Sequence, residues 1–420
     1  MLRTIIYVCF ILFLWSCQRE TAVEQEATPV IQEIATPCKE GGEGRLFTST
    51  NGEVYLSWVE FLNDSTDALR FARLENGQWG APQEIAQGSD WFVNWADFPS
   101  LVTYPENDQM MVAHWLQMRA EGTYDYDVHL SLSQDGGQTW SPSFIPHRDS
   151  IAAEHGFVSM LPMSEQQVFV TWLDGRNTKD EGYEAPSDDH GHGHGGAMTL
   201  RAAIVDPTGT LSQEVELDAR VCDCCHTSAA LTSNGPIVAY RDRSEEEIRD
   251  IYIVRQVAGQ WQAPTAVHQD NWGIAGCPVN GPVIKAKGDN VAVAWFTAPE
   301  GKSEVRMAFS TDQGASFSAP VRLDHGLPLG RVGLAFTEDD QLIVTWLEQT
   351  EEAAEIRLAC VNLQGEKEEE LVLAEVEASR QSGFPVITMH EDKVYFAYTQ
   401  VDSLTRVVSG VVEWEREEEK

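Results

Sequence analysis

Apolar residues along this chain recur at every second position, in short runs that end on an aromatic. The runs are Val54-Tyr55-Leu56-Ser57-Trp58, Met111-Val112-Ala113-His114-Trp115, Val168-Phe169-Val170-Thr171-Trp172, Ile237-Val238-Ala239-Tyr240, Val291-Ala292-Val293-Ala294-Trp295, Leu342-Ile343-Val344-Thr345-Trp346 and Val394-Tyr395-Phe396-Ala397-Tyr398. Alternation of this kind marks strands with one face buried. A strand of smaller residues precedes each run, as at 98–103, 156–161 and 281–284. The two are joined by turns such as Asn51-Gly52, Asn107-Asp108, Asn234-Gly235 or Gly288-Asp289, which are hairpin signals. The terminal aromatics lie 51 to 68 residues apart. Four strands on such a period are the signature of propeller blades. The pattern predicts an all-β propeller of seven four-stranded blades. The last unit, 384–415, supplies only three strands. Residues 29–35 echo 82–86, the fourth strand of the first blade, so the N-terminal strand is expected to close the last blade.

Two turns after third strands add a motif. Ser133-Gln134-Asp135-Gly136-Gly137-Gln138-Thr139-Trp140 and Ser310-Thr311-Asp312-Gln313-Gly314-Ala315-Ser316-Phe317 both fit the Asp-box pattern. Degenerate copies stand at 75–79 and 258–261. Ser and Asp cap a tight hairpin, and glycine takes the backbone angle that other residues avoid. On these motifs the chain resembles the sialidase-like (BNR-repeat) superfamily over nearly the whole length after its leader. True sialidases have six blades, which makes six the alternative count. The resemblance implies a glycoside hydrolase, or a glycan-binding protein, that grips a carboxylate with three arginines and works with a Tyr/Glu pair and an Asp acid/base. Arg45, Arg176, Arg241, Arg243, Arg331 and Arg380 are the candidate arginines, and Asp97, Asp174, Asp242 and Glu348 are acids near them. The superfamily's Arg-Ile-Pro motif is absent and no Tyr/Glu pair can be assigned, so enzyme status stays open.

The ends carry different information. Arg3 and the apolar 5–15 stretch, closing on Leu14-Trp15-Ser16-Cys17, resemble a bacterial lipoprotein signal. The resemblance implies removal of 1–16, lipidation at Cys17, a tether over 17–28, a propeller over 29–415 and a charged tail over 416–420. The expected product is exported and lipid-anchored to the cell envelope, at the outer membrane, without a spanning segment. With 66 acidic against 29 basic side chains, the formal net charge is −37. That excludes nucleic acid and anionic lipid heads as partners and suits cations.

The residues that begin each innermost strand should converge on the hub. In blade order they are Cys38, Asp97, His155, Cys224-Cys225-His226, Cys277, Arg331 and Arg380. With Cys222 they form a Cys/His-rich face. Thiolates with imidazole suit copper(I) or zinc(II) and not magnesium or calcium. A loop carrying His190, His192 and His194 is expected to rise from the same face and bind Cu(II), Ni(II) or Zn(II). The competing reading of the cysteines is disulfide bonding, because thiols oxidise outside the cytoplasm. Five hub cysteines cannot all pair within one chain, and Cys360 reads as a small buried hydrophobe. Three functions follow: a transition-metal-binding propeller, a sialidase-like glycan hydrolase or binder, and a scaffold for an outer-membrane protein partner with structural disulfides.

Overall fold

The computed structural model describes residues 28–179 and 196–415. Cys17 with the leader and most of the tether, the charged tail, and His190, His192 and His194 lie outside the described residues. The rest forms seven antiparallel sheets. Blade one comprises Gly41–Thr48, Val54–Asn63, Thr66–Glu75 and Gln83–Gly88. Blade two comprises Ser100–Tyr104, Asn107–Met118 and Tyr126–Ser133; its outer edge is reduced to one bridge, Leu130 to Phe144. Blade three comprises His155–Ser164, Gln167–Asp174, Met198–Val205 and Leu211–Val221, and blade four Ser228–Thr232, Gly235–Arg241, Ile251–Val257 and Thr265–Ala266. Blade five comprises Val283–Lys287, Asn290–Thr297, Glu304–Ser310 and Val321–Arg322, and blade six Pro328–Phe336, Leu342–Gln349, Ala354–Val361 and Lys367–Val376. In blade seven, Val386–His390, Lys393–Val401 and Thr405–Glu415 are completed by Thr28–Ile34, which runs antiparallel to the C-terminal strand from Thr28↔Glu415 to Ile34↔Ser409. The count is therefore seven, and the N-terminal strand closes the ring as expected.

The marker aromatics form the cores between blades. Trp58, Trp172, Trp295, Trp346 and Tyr240 are all buried. Burying an indole strands its N–H unless an acceptor is supplied. The chain supplies it two residues later: Trp58 donates to Glu60 at 2.8 Å, Trp172 to Asp174 at 2.9 Å and Trp346 to Glu348 at 2.8 Å. Trp295 reaches Asp270 instead, at 2.7 Å. Both Asp-boxes fold alike. The Ser133 and Ser310 hydroxyls each accept the amide of the box glycine at 2.8 Å, and Asp135 and Asp312 each accept the amide four residues on at 2.9 Å. At Gly314, φ is +75°, and a Cβ there would meet Ile237 of the preceding blade at 2.4 Å. Glycine is thus required twice over, by the turn and by the blade contact.

Candidate thiol site at the hub

The site is built where the chain leaves the outer edge of blade three and crosses to the axis. The Cys222 amide donates to the Arg241 carbonyl at 3.0 Å. Thr227 Oγ1 donates to the Phe157 carbonyl at 2.9 Å, and Ser159 Oγ donates back to the Thr227 carbonyl at 2.8 Å. Pinned at both ends, the segment turns its sulfurs together. Cys222 Sγ lies 3.9 Å from Cys224 Sγ and 3.7 Å from Cys225 Sγ. All three thiols fall within 4.8 Å of one another. Cys277, from the crossing between blades four and five, hydrogen-bonds with Cys224. No cysteine among the described residues is bridged, and the spacings are nearly twice the roughly 2.05 Å of a disulfide bond.

Cations back the sulfurs. The fully buried Arg249 donates Nη1 to Cys222 Sγ at 3.1 Å and Nη2 to Glu247 at 2.8 Å. Arg243 bridges Glu247 at 2.7 Å and Asp223 at 3.1 Å. The thiols differ in proton affinity. Burial pushes Cys222 up and Cys224 well up. Burial also opposes ionisation of Cys225, but hydrogen bonds from Cys222 and Cys224 and the Arg241 charge outweigh it and hold Cys225 well below the ordinary thiol range. Of the three sulfurs, Cys225 is the one whose surroundings favour the thiolate, the form that binds metal.

The other candidates are placed elsewhere. Cys38 is not gathered with the thiols; it packs against the apolar cluster that contains Leu56, Trp58, Val386 and Val407, and burial raises its pKa to about 11. Cys360 is buried in the core between blades six and seven. His226 lies two residues before the inner strand of blade four, and its ring lies against Phe384 at 4.9 Å and Phe98 at 5.9 Å. His155 turns to the seam between blades two and three, where its ring stacks on His147 at 3.7 Å. Asp127, Asp149 and Asp174 surround the two rings, and Arg119 and Arg176 compensate the acids, at 3.0 Å from Asp127 and 2.7 Å from Asp174. His147, Asp127 and Asp149 carry no sequence motif that would have marked them.

The arginines expected around a sugar carboxylate are mostly spent on the fold. Arg241, 1% exposed, donates to the carbonyls of Asn280, Arg249 and Phe296, all at 2.7 Å. Arg331 donates to Ser382 Oγ at 3.0 Å and to the Gly383 and Ser379 carbonyls at 2.9 Å. Arg176 grips Asp174 through both oxygens, each at 2.7 Å. Asp174 and Glu348 are indole acceptors, which accounts for their burial. Arg243 belongs to the thiol site, and the exposed Arg380 reaches the Trp95 ring at 5.9 Å. Asp242 is pushed up to about 7 by burial and by Asp218. Asp97, 1% exposed, accepts the Phe157 amide at 2.7 Å and the Tyr126 hydroxyl at 3.2 Å. Asn280 does the same work three blades on, accepting the Arg331 amide at 2.7 Å. Tyr126 also donates to Glu154 at 2.9 Å. This is a Tyr/Glu pair that the sequence did not disclose, because its members sit 28 residues apart on two blades.

The fold is a seven-bladed β-propeller with Asp-box turns. No protein-family model matches the chain, and no curated protein matches it. Among solved structures, a protein of unknown function from Dyadobacter fermentans aligns over 93% of this chain and 99% of its own, at 12% identity and a TM-score of 0.52. The endosialidase of phage phi92 aligns over 94% of this chain and 70% of its own, at 10% identity and a TM-score of 0.50. At such identities the likeness concerns the fold.

Proposed function

We propose that this chain is a lipid-anchored, cell-envelope propeller that binds a soft or borderline transition metal, copper(I) or zinc(II), through Cys222, Cys224 and Cys225, with Cys277 as the fourth sulfur. The sulfur spacing carries the reading. Ligands about 2.3 Å from a tetrahedral zinc stand about 3.8 Å from one another, and the observed spacings are 3.7 and 3.9 Å. Copper(I) fits the same soft donors. Arg249, donating to the Cys222 sulfur, would offset negative charge on the thiolates and hold the ligand in place. Elemental analysis with a thiol count, on protein purified without air or chelator, tests this. The expected result is about one zinc or copper per chain, lost in Cys222→Ser or Cys225→Ser and kept in Cys38→Ser and Cys360→Ser. Absence of metal after reloading with Zn(II) or Cu(I) overturns it.

A second reading, glycoside processing, is favoured by one observation: the Tyr126 hydroxyl bound to both Glu154 and Asp97. Against it, Tyr126 is fully buried with its ring stacked 4.1 Å from Phe92, so an attacking oxygen has no path to a sugar. Turnover of a fluorogenic sialoside that disappears in Glu154→Gln would support it over the metal reading.

A further inference from the structure

The axis of the disc carries a second arrangement, separate from the thiols. Phe98 of blade two, His226 of blade four and Phe384 of blade seven meet ring to ring, with centroids 4.9 to 5.9 Å apart. Rings from three non-adjacent blades can touch only across the centre, so they meet on the axis of the disc. Arg45 packs on this cluster, its guanidinium 4.4 Å from the Phe98 centroid.

Register shows how unusual that arginine is. Arg45 pairs with Ser57, the residue before the marker Trp58. The same position in the other blades holds Ser100, Ser159, Ser228, Val283, Gly333 and Val386. Only blade one puts a charge there. Arg45 has no carboxylate partner and no hydrogen-bond acceptor among the described residues, whereas Arg241 makes four hydrogen bonds and Arg331 three. Its surroundings are cationic or neutral. Lys285 stands two positions farther along the innermost strand of blade five, a step of about 7 Å that two long side chains can span. Lys285 is an exposed residue, and desolvation and then the Arg45 charge lower its pKa. His226, 8% exposed, also leaves Nδ1 without a partner. Arg45, half-buried and without a carboxylate, is the cation that gains most from a bound counter-charge, and Lys285 adds a second positive charge on the same side.

We propose that the central channel, between the Phe98–His226–Phe384 rings and Lys285, binds a small free oxyanion such as phosphate or sulfate, held by the Arg45 fork and the Lys285 ammonium. A guanidinium presents paired N–H groups that match two oxygens of such an anion, and the lysine supplies a point charge. The proposal does not depend on the thiol site.

Isothermal titration of sodium phosphate into the detergent-solubilised full-length protein, at matched ionic strength, tests it. One phosphate per chain is expected, with sulfate competing and glucose 6-phosphate excluded by the channel. Lys285→Met, at an exposed position that leaves the fold undisturbed, should weaken binding by about tenfold or more. Arg45→Lys, which keeps the charge and removes the fork, should also weaken it. No binding heat, wild-type affinity in both variants, or equal binding of glucose 6-phosphate each overturns the proposal.

Discussion

Replacing Asp97 by Asn separates an architectural carboxylate from a reactive one, and the structure sets the size of the effect. Asp97 is 1% exposed, and burial raises its pKa from an ordinary 3.8 to about 7 against the pull of the Phe157 amide and the Tyr126 hydroxyl. A raised folded-state pKa means that the folded protein holds this proton more tightly than the unfolded chain does. Below the unfolded value both states are protonated and the group is neutral to stability. As pH rises from about 4 to about 7 the unfolded chain ionises first, and folding loses free energy. Each pH unit of that window is worth about 1.4 kcal/mol, so the cost above pH 7 is about 4 kcal/mol. Asparagine keeps the oxygen that accepts the Phe157 amide, as Asn280 does for Arg331, and its amide can donate to the Tyr126 oxygen. It also removes the negative charge that helps raise the pKa values of Glu43 and Glu154. Asp97→Asn should therefore unfold later than wild type at pH 8, by up to about 4 kcal/mol, and nearly match it at pH 4. Urea unfolding monitored by tryptophan fluorescence across this range gives the difference. A variant less stable than wild type at pH 8, or one that keeps the wild-type pH slope, would refute the argument.

Trp346→Ala should cost about 3–5 kcal/mol, because it empties the core between blades five and six and strips Glu348 of its indole donor; urea unfolding checks this, and a loss under 1 kcal/mol contradicts it. Deleting the chain through Ile34 exposes the edge of Thr405–Glu415. An unpaired edge of that length recruits other chains, so light scattering should show concentration-dependent association, and a monomer with an unchanged melting temperature would count against strand closure.

Blade number and ring closure were legible because the repeat is contiguous: each alternating run with its aromatic lies within a few residues. The Asp-boxes were legible for the same reason. The thiol cluster was half legible. Cys222, Cys224 and Cys225 announce themselves by adjacency, but Arg249 reaches the Cys222 sulfur from 27 residues away, and only the register of blade four brings it there. Cys38 shares the right position in its blade, yet its sulfur turns into the apolar seam with blade seven. His155 likewise turns aside, drawn by Asp149 at 3.2 Å. The role of Asp174 was present in the sequence: Trp58, Trp115, Trp172 and Trp346 are each followed two residues later by Glu, Gln or Asp, and that spacing is the indole acceptor. Arg241 and Arg331 gave no such sign, since their partners are mostly backbone carbonyls distant in sequence, which no motif records.

The thiol site is also part of the fold's charge balance, through Arg241. This guanidinium is 1% exposed, donates only to carbonyls and lies over the Trp272 ring at 4.9 Å. Carbonyls satisfy its hydrogens but not its charge, and an isolated buried cation is costly. An ionised Cys225, which this same arginine favours against burial, would supply the counter-charge. In chelator-stripped protein Cys225→Ser should then destabilise by about 3–5 kcal/mol, the usual cost of removing one partner from a buried ion pair. Cys224→Ser exchanges one protonated group for another and should cost about 1 kcal/mol. Ultraviolet thiolate absorbance at neutral pH should correspond to one sulfur in the stripped wild type, persist in Cys224→Ser and vanish in Cys225→Ser. Equal destabilisation by the two variants, or no thiolate signal in the wild type, would mean that Arg241 is balanced some other way and that the metal-free site carries no charge.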